Sequence, residues 1–180
     1  MTKLWSPICE RLGIENPIFG FAHDVAAVAA ITNAGGYGVY GATRRFPHEI
    51  TQELAAIRKL VGDKPFGVDL VLPPGMPEHN SREAIEAEIP EEHKAFVEKL
   101  IEKFQVPAAT GPGMRTRFIR STEIEEEQIQ AVLDSSVNMF ACGIGSPAHV
   151  LEAAKARGKT TLALIGSPHH VKRAIDAGVE

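Results

Sequence analysis

Short apolar runs alternate with longer amphipathic stretches along this chain, as strands and helices do in α/β proteins. Apolar runs predict five strands, at residues 16–21, 37–40, 66–72, 137–142 and 160–165. Helical periodicity and capping signals predict six helices, at 24–34, 47–61, 91–104, 122–133, 147–157 and 168–177. Residues 178–180 resemble the start of a sixth strand. This strict alternation is typical of a parallel sheet, either open or closed into a barrel.

One long segment interrupts the alternation. Residues 73–121 are rich in proline, glycine and charge, and they leave from the carboxyl end of the third predicted strand. We treat residues 1–180 as a single α/β domain that carries this segment as a lid-like insertion. Its arginines, Arg115, Arg117 and Arg120, either meet a bound anion or form a solvated basic stretch.

A short repeat marks the last third of the chain. Ile144-Gly145-Ser146-Pro147 recurs 21 residues later as Ile165-Gly166-Ser167-Pro168. In both copies we expect the strand to end, the serine to cap the next helix and the proline to take its first position. Two successive units of one size favour a regular parallel array.

The glycine run at residues 33–41 contains Gly36-x-Gly38-x-x-Gly41, which is the spacing of a dinucleotide-binding turn. That turn follows a strand and opens a helix. Here a predicted helix comes before the glycines and a predicted strand lies among them. The glycines therefore mark a helix end and a strand entry, and the dinucleotide interpretation is excluded.

Composition and charge narrow the functional classes. The chain has 180 residues, 44% of them hydrophobic, and a net charge of −4, so we expect no nucleic-acid or membrane-surface partner. No apolar run reaches bilayer length, and the first residues lack the apolar core of a signal peptide. Cys9 and Cys142 are far apart in sequence, and we expect reduced thiols in a cytoplasmic setting.

Three segments carry a family resemblance: IENPI at 14–18, AAITNAGGYG at 29–38 and KPFGVDL at 64–70. Together they resemble the signature of the nitronate monooxygenase family, formerly called 2-nitropropane dioxygenases. Enoyl-acyl-carrier-protein reductases of the same fold group share it. Length alone favours an open five-stranded parallel sheet, because a (β/α)8 barrel usually needs about 250 residues. The resemblance implies instead a TIM barrel of which this chain supplies about the first five βα units.

The resemblance also implies an activity. It is the oxidation of nitronates, or of a related carbanion-like small molecule, by O2 with FMN as cofactor. The flavin phosphate loops and a catalytic histidine in a Gly-Gly-His motif are expected beyond Glu180. Alternatives are an enoyl-reductase-like flavoenzyme and an inactive truncated half-barrel without its own flavin site. We further expect either a homo-oligomer or pairing with a missing carboxyl-terminal half.

Candidate site residues lie where the first four strands end, which is where barrel active sites gather. His23 is the catalytic candidate. The alternative is a residue with no catalytic role at the start of the helix, beside Asp24, which could cap that helix. Asp69 takes the position of the family's flavin-contacting asparagine, the alternative being a carboxylate paired with an arginine or a backbone amide. Cofactor-binding residues are expected at Phe21, Ala22, His23, Gly41, Asp69 and Gly143. No metal site is expected, because His169 and His170 lack partners at ligand spacing.

Overall fold

The computed structural model describes residues 4–78, 81–111, 113 and 117–180. The chain divides into two compact units, one formed by Met1–Gly75 with Ile124–Glu180 and the other by Met76–Glu123. Part of the predicted insertion, including Arg115, lies outside the described residues. The single-domain description and the lid role stay predictions.

The first unit is built on a five-stranded parallel sheet with the order β1-β2-β3-β4-β5. Each strand pairs with the strand that precedes or follows it in the chain, as in a barrel. The strands are β1 Phe19–Ala22, β2 Tyr37–Gly41, β3 Gly67–Val71, β4 Met139–Gly143 and β5 Thr160–Leu164.

Eight helices lie within the described residues. They are α1 Pro7–Leu12, α2 Val25–Asn33, α3 Pro47–Val61, α4 Arg82–Glu88, α5 Glu91–Phe104, α6 Thr122–Leu133, α7 Ala148–Ala156 and α8 His169–Asp176. Asp24 caps α2 by accepting a hydrogen bond from the amide of Ala27 at 2.9 Å. On α3 the apolar positions recur at helical spacing, and Ile50, Leu54, Ile57 and Val61 are all buried.

The sheet buries its two faces differently. Tyr40, Val68, Leu70 and Phe140 pack with the buried side of α3 in the main core cluster. Alternate residues point to the other face, where Tyr37, Val39, Met139 and Ala141 form a second cluster with Leu12. Asp69 lies between Val68 and Leu70 in β3, and its side chain therefore belongs to this second face.

The predicted order of elements around the glycine run is confirmed. The chain leaves α2, turns at Gly35 with φ +87° and enters β2 at Tyr37. A Cβ atom on Gly38 would lie 2.5 Å from the carbonyl oxygen of Val28. These glycines therefore permit close packing of helix on strand.

The structure corrects two sequence predictions, the caps of α7 and α8 and the sixth strand. Pro147 and Pro168 are themselves the N-cap residues of α7 and α8, so the serines before them do not cap these helices. Helix α6 begins at Thr122, as predicted, and the Thr122 hydroxyl lies 3.2 Å from the carbonyl oxygen of Met76. Residues 178–180 are not a strand; the amide of Glu180 donates to the Thr161 hydroxyl at 3.2 Å.

The second unit contains α4 and α5. Ser81 caps α4 by accepting a hydrogen bond from the amide of Ala84 at 3.1 Å, and α5 occupies the predicted residues 91–104. The apolar side chains of α5 are exposed at Phe96, Val97, Ile101 and Phe104. Short α4, like α1 in the first unit, was missed because six or seven residues give too few turns to show a period.

Candidate active site

Strand register brings the predicted site positions to one edge of the sheet. Gly41 of β2 is aligned with Asp69 of β3, which in turn is aligned with Ala141 of β4. Two residues further along, Val71 is aligned with Gly143. Gly41, Val71 and Gly143 are the last residues of their strands, and Asp69 and Ala141 lie two residues before the ends of β3 and β4. Residues from several strands therefore converge towards this edge.

His23 follows directly after β1 and has a fixed position. Its Nδ1 atom lies 2.8 Å from the carbonyl oxygen of Gly41. A carbonyl oxygen can only accept, so Nδ1 carries the proton of the neutral ring and Nε2 carries the lone pair. The ring also makes an edge contact with Phe21, with centroids 5.0 Å apart.

Gly41 provides the space that the His23 ring occupies. A Cβ atom at Gly41 would lie 2.5 Å from Nδ1 of His23 and 2.5 Å from Cζ of Phe21. Any side chain there would displace both rings. A direct contact of Gly41 with a cofactor stays a prediction. Its contact with His23 is observed, because the Gly41 carbonyl oxygen lies 2.8 Å from Nδ1 and the missing side chain leaves space for the ring.

Arg45 supports His23 from the segment that follows β2. Its Nη2 atom donates to the carbonyl oxygen of His23 at 3.2 Å, and its Nε atom donates to the Tyr40 hydroxyl at 2.8 Å. Glu53 of α3 completes the group by accepting from Tyr40 and pairing with Arg45 at 2.9 Å. Burial, with the hydrogen bond to Glu53, raises the pKa of Tyr40, which keeps its hydroxyl protonated as a donor.

Gln128 of α6 anchors the same segment. Its side-chain amide is buried on α6 and donates to the carbonyl oxygens of Thr43 at 3.1 Å and Arg45 at 2.7 Å. The Thr43 hydroxyl in turn accepts from the amide of Val71 at 2.9 Å. Sequence reasoning missed Gln128 and Arg45, because their partners in this network are set by long-range packing.

Asp69 is the least satisfied polar group at this edge. The residue is 4% exposed, and Oδ2 has no hydrogen-bond partner among the described residues. Burial raises the pKa of Asp69 to about 6, with His23 acting in the opposite direction. A buried carboxylate oxygen without a partner is costly, so it marks a position where an external donor would be favourable.

One other buried side-chain oxygen among the described residues, Thr32 Oγ1, lacks a partner. Thr32 lines a cavity of about 60 Å³ together with Gly35, Gly36 and Lys64, away from the carboxyl ends of the strands. That volume holds one or two water molecules, which would satisfy the hydroxyl.

The segment after β4 is shaped by close contacts and strain. A Cβ atom on Gly143 would lie 3.7 Å from Asp69 Oδ2, so the missing side chain leaves room beside the carboxylate. A Cβ atom on Gly145 would overlap the carbonyl oxygen of Leu72. Between them, Ile144 has φ +63° and a 76% exposed side chain. A β-branched residue in this conformation is strained.

Most of the predicted site residues share this edge. Phe21, His23, Gly41, Asp69 and Gly143 are connected by the contacts and register described above. Ala22 is different, because its side chain packs against the main core cluster on the helix side of the sheet.

Cys142 is buried in that main core cluster, as expected of a small hydrophobic residue. Burial, and secondarily Asp69, raise its pKa to about 12, so it remains a thiol. The described residues contain no group of three histidine, cysteine or acidic side chains arranged to hold a metal ion.

Comparisons with known proteins agree with this architecture. The family model described as nitronate monooxygenase matches residues 7–180. A Mycobacterium tuberculosis protein named "Putative monooxygenase Rv1533" is 33% identical over 186 residues, which cover 96% of this chain and 48% of that protein.

Solved structures show the same fold at low identity. Nitroalkane oxidase from Streptomyces ansochromogenes matches with a TM-score of 0.66 at 20% identity, covering 97% of this chain and 46% of that one. FabK from Thermotoga maritima matches with a TM-score of 0.61 at 19% identity, covering 96% and 41%. The chain thus spans about half the length of the relatives it matches, and the TIM-barrel assignment with five βα units is confirmed. Within the described residues, no helix combines the length and apolar character needed to span a lipid bilayer.

Proposed function

This chain belongs to the nitronate monooxygenase family, and we propose that it forms part of an FMN-dependent oxidoreductase. The substrate would be a nitronate or a related carbanion-like small molecule, and the electron acceptor would be O2. Support comes from the family match over residues 7–180 and from the polar and apolar groups gathered at the carboxyl ends of β1 to β4.

The observation that carries the proposal is the unpartnered Oδ2 atom of Asp69. A flavin ring presents an N–H donor on its pyrimidine part, and a buried acceptor oxygen suits such a donor. Asp69 retains the acceptor oxygen of the family asparagine and lacks only the amide donor. Space beside it at Gly143 and the exposed ring of Phe21 also fit a flat aromatic group.

When bound, a flavin would accept electrons from the carbanion-like substrate and pass them to O2. The residues of this chain would bind and orient it. Asp69 would accept a hydrogen bond, Phe21 would give an apolar surface, and Gly143 would let a ring approach the strand end. His23, held by Gly41 and Arg45, would face the substrate.

Flavin titration of the full-length protein tests the role of Asp69. We expect Asp69→Leu to weaken FMN binding about 10- to 100-fold, because it removes one acceptor worth about 1–3 kcal/mol. Asp69→Asn should lose far less, since its amide oxygen still accepts. Binding would be followed by quenching of flavin fluorescence and by the visible spectrum.

Asp63→Leu is the matched control, because Asp63 is exposed in the turn before β3. It should bind FMN like the wild type. A wild-type protein that takes up no FMN would refute the proposed function. Equal FMN affinity in Asp69→Leu and the wild type would refute the role of Asp69 alone.

A further inference from the structure

We propose that the apolar side of α5 is a self-association surface, on which α5 of a second copy of this chain packs antiparallel. This side of the helix carries its large apolar residues and one histidine: His93, Phe96, Val97, Leu100, Ile101 and Phe104. The inference concerns the second compact unit and does not depend on the proposed function.

The apolar side of α5 is left open to solvent. Although the helix is amphipathic, none of its 14 residues, all of which the structure describes, is buried. Four of its large apolar side chains are exposed, at Phe96, Val97, Ile101 and Phe104. A helix with an apolar stripe ordinarily packs that stripe against another element, and a contiguous exposed apolar patch marks an interaction site.

The spacing along α5 is that of a coiled-coil seam. Residues 93, 97, 100 and 104 follow one another at intervals of four, three and four, which keeps them in line along one side of the helix. In an antiparallel pair whose two-fold axis passes between residues 98 and 99, His93 faces Phe104 of the second copy and Val97 faces Leu100. A two-fold pair uses one surface twice, so this single side covers itself in both copies.

A groove at the amino end of α5 lies where this register brings an aromatic side chain. The groove has a volume of about 410 Å³ and is lined by Ile89, His93, Lys94, Val97 and Glu98. Phe104 of the second copy lies opposite His93 in this register, and at 66% it is the most exposed large apolar side chain of α5. An aromatic side chain inserted into such a groove is a common source of interface energy, and the two-fold axis gives the pair two of them.

Charges beside the apolar side complement each other in the antiparallel orientation. Glu91 and Glu92 are in the first turn of α5 and Lys103 is in the last, and Glu91 already pairs with Lys94 of its own helix at 2.6 Å. Antiparallel packing brings Glu92 close to Lys103 of the second copy, twice in each pair, whereas parallel packing would bring like charges together. Because both charges also suit the helix dipole, the test must separate pairing from helix stability.

Sedimentation velocity of the full-length protein over a range of concentrations measures the pairing. A four-turn helix pair is a small interface, so we expect a dimer with a Kd on the order of 10 μM. Glu92→Lys replaces two attractive contacts with two repulsive ones, and should raise the Kd about tenfold. Adding Lys103→Glu in the same chain restores opposite charges and should return the Kd to within about threefold of the wild type.

The double variant excludes an effect through helix stability. Both reversals oppose the dipole of α5, so their effects would add rather than cancel if they only weakened the helix. Glu102→Lys is the matched control for Glu92→Lys, because it makes the same reversal on the side of α5 away from the apolar side. It should dimerise like the wild type.

Phe104→Ala tests the apolar contact itself. We expect it to raise the Kd about 30-fold or more, because the truncation removes a central aromatic side chain from both halves of the pair. Leu60→Ala, at an exposed apolar residue of α3, is its control and should leave the Kd unchanged.

Three results would overturn the inference. If the protein were a monomer at every concentration and Phe104→Ala lowered its stability, the apolar side of α5 would be covered within one molecule. A dimer unaffected by Glu92→Lys and Phe104→Ala would be held together by another surface. Weakening by Glu92→Lys without recovery in the double variant would exclude the antiparallel pairing.

Discussion

The two ends of the central sheet differ in whether their buried polar groups have hydrogen-bond partners. At the amino ends of the strands, the side chains of Lys159 and Arg58 donate hydrogen bonds to backbone carbonyl oxygens. At the carboxyl ends, Asp69 keeps a buried oxygen without a partner and Ile144 keeps a strained backbone. Under the proposed function, the amino end maintains the fold and the carboxyl end would receive the ligand.

Lys159 shows the amino-end solution. It precedes β5, is 5% exposed, and its Nζ atom donates to the carbonyl oxygens of Ser135 at 2.6 Å and Val137 at 3.1 Å. Burial lowers the pKa of Lys159, and the two carbonyl acceptors favour its charged form. The side chain thereby joins the loop before β4 to the start of β5.

Arg58 connects the segments before β3 and β4 in the same way. Its guanidinium donates to the carbonyl oxygens of Gly62 at 2.7 Å, Lys64 at 2.8 Å and Ser136 at 2.7 Å. It also lies over the Phe66 ring, 4.7 Å from its centroid. One side chain of α3 thus ties together the entries to β3 and β4.

The largest effect is expected at Lys159. Lys159→Met keeps much of the apolar stem but leaves two carbonyl oxygens without a donor. We expect the free energy of unfolding to fall by about 3 kcal/mol, since each orphaned buried acceptor costs about 1–3 kcal/mol. Urea unfolding at neutral pH measures the loss.

Lys155→Met is the control for that change. Lys155 is an exposed residue of α7, four positions earlier, and its replacement should alter stability by less than about 0.5 kcal/mol. Similar losses in both variants would show that the amino-end contacts add nothing specific, and the contrast between the two ends would fail.

Neutralising Asp69 should change the free energy of unfolding in the opposite direction from neutralising Lys159. Its pKa is about 6 in the folded state against 3.8 unfolded, so the folded protein binds more protons between these values. Stability should therefore fall as pH rises through that window, and the penalty is complete above it. In flavin-free protein, Asp69→Asn should gain on the wild type by on the order of 2 kcal/mol between pH 4 and pH 7.

Unfolding midpoints at both pH values test this sign. Asp63→Asn, at an exposed carboxylate, should track the wild type at both. If Asp69→Asn instead lost stability relative to the wild type as pH rose, Asp69 would have a hidden partner. The carboxyl end would then be as well satisfied as the amino end.

Much of the fold could be read from the sequence, because long helices repeat their apolar positions. Helices α3 and α5 begin and end at the predicted residues, 47–61 and 91–104. The predicted end of β1 also placed His23, and the KPFGVDL segment placed Asp69 within β3. Such predictions need only local pattern and the rule that parallel strands end together.

The chemical state of the site could not be predicted in the same way. Whether Asp69 Oδ2 finds a donor depends on every neighbour that packing brings near it, and sequence lists none of them. The same holds for Gln128, whose partner Arg45 is 83 residues away. The strain at Ile144 is also invisible, because the repeated Ile-Gly-Ser-Pro sequence predicts equal backbones at both copies.

That repeat supplies the smallest and most direct test of strain. Ile144 has φ +63°, whereas Ile165, its counterpart, is not among the positive-φ residues of the described chain. An L-residue in the left-handed region costs about 1–2 kcal/mol, and glycine adopts it freely. Glycine also adds about 0.4–1 kcal/mol of unfolded-state entropy, so Ile144→Gly should stabilise the protein by about 0.5 kcal/mol.

Ile165→Gly should instead destabilise it, by about 0.5–1 kcal/mol, because there the entropy cost is not offset by strain relief. Ile144→Gly should also raise the KM for a nitronate substrate, if the exposed isoleucine beside Gly143 contacts substrate. Destabilisation in both variants would mean that the backbone at Ile144 carries no strain. Stabilisation at Ile144 alone, with weaker binding, would mean that this strand end gives up stability to hold an apolar side chain at the site.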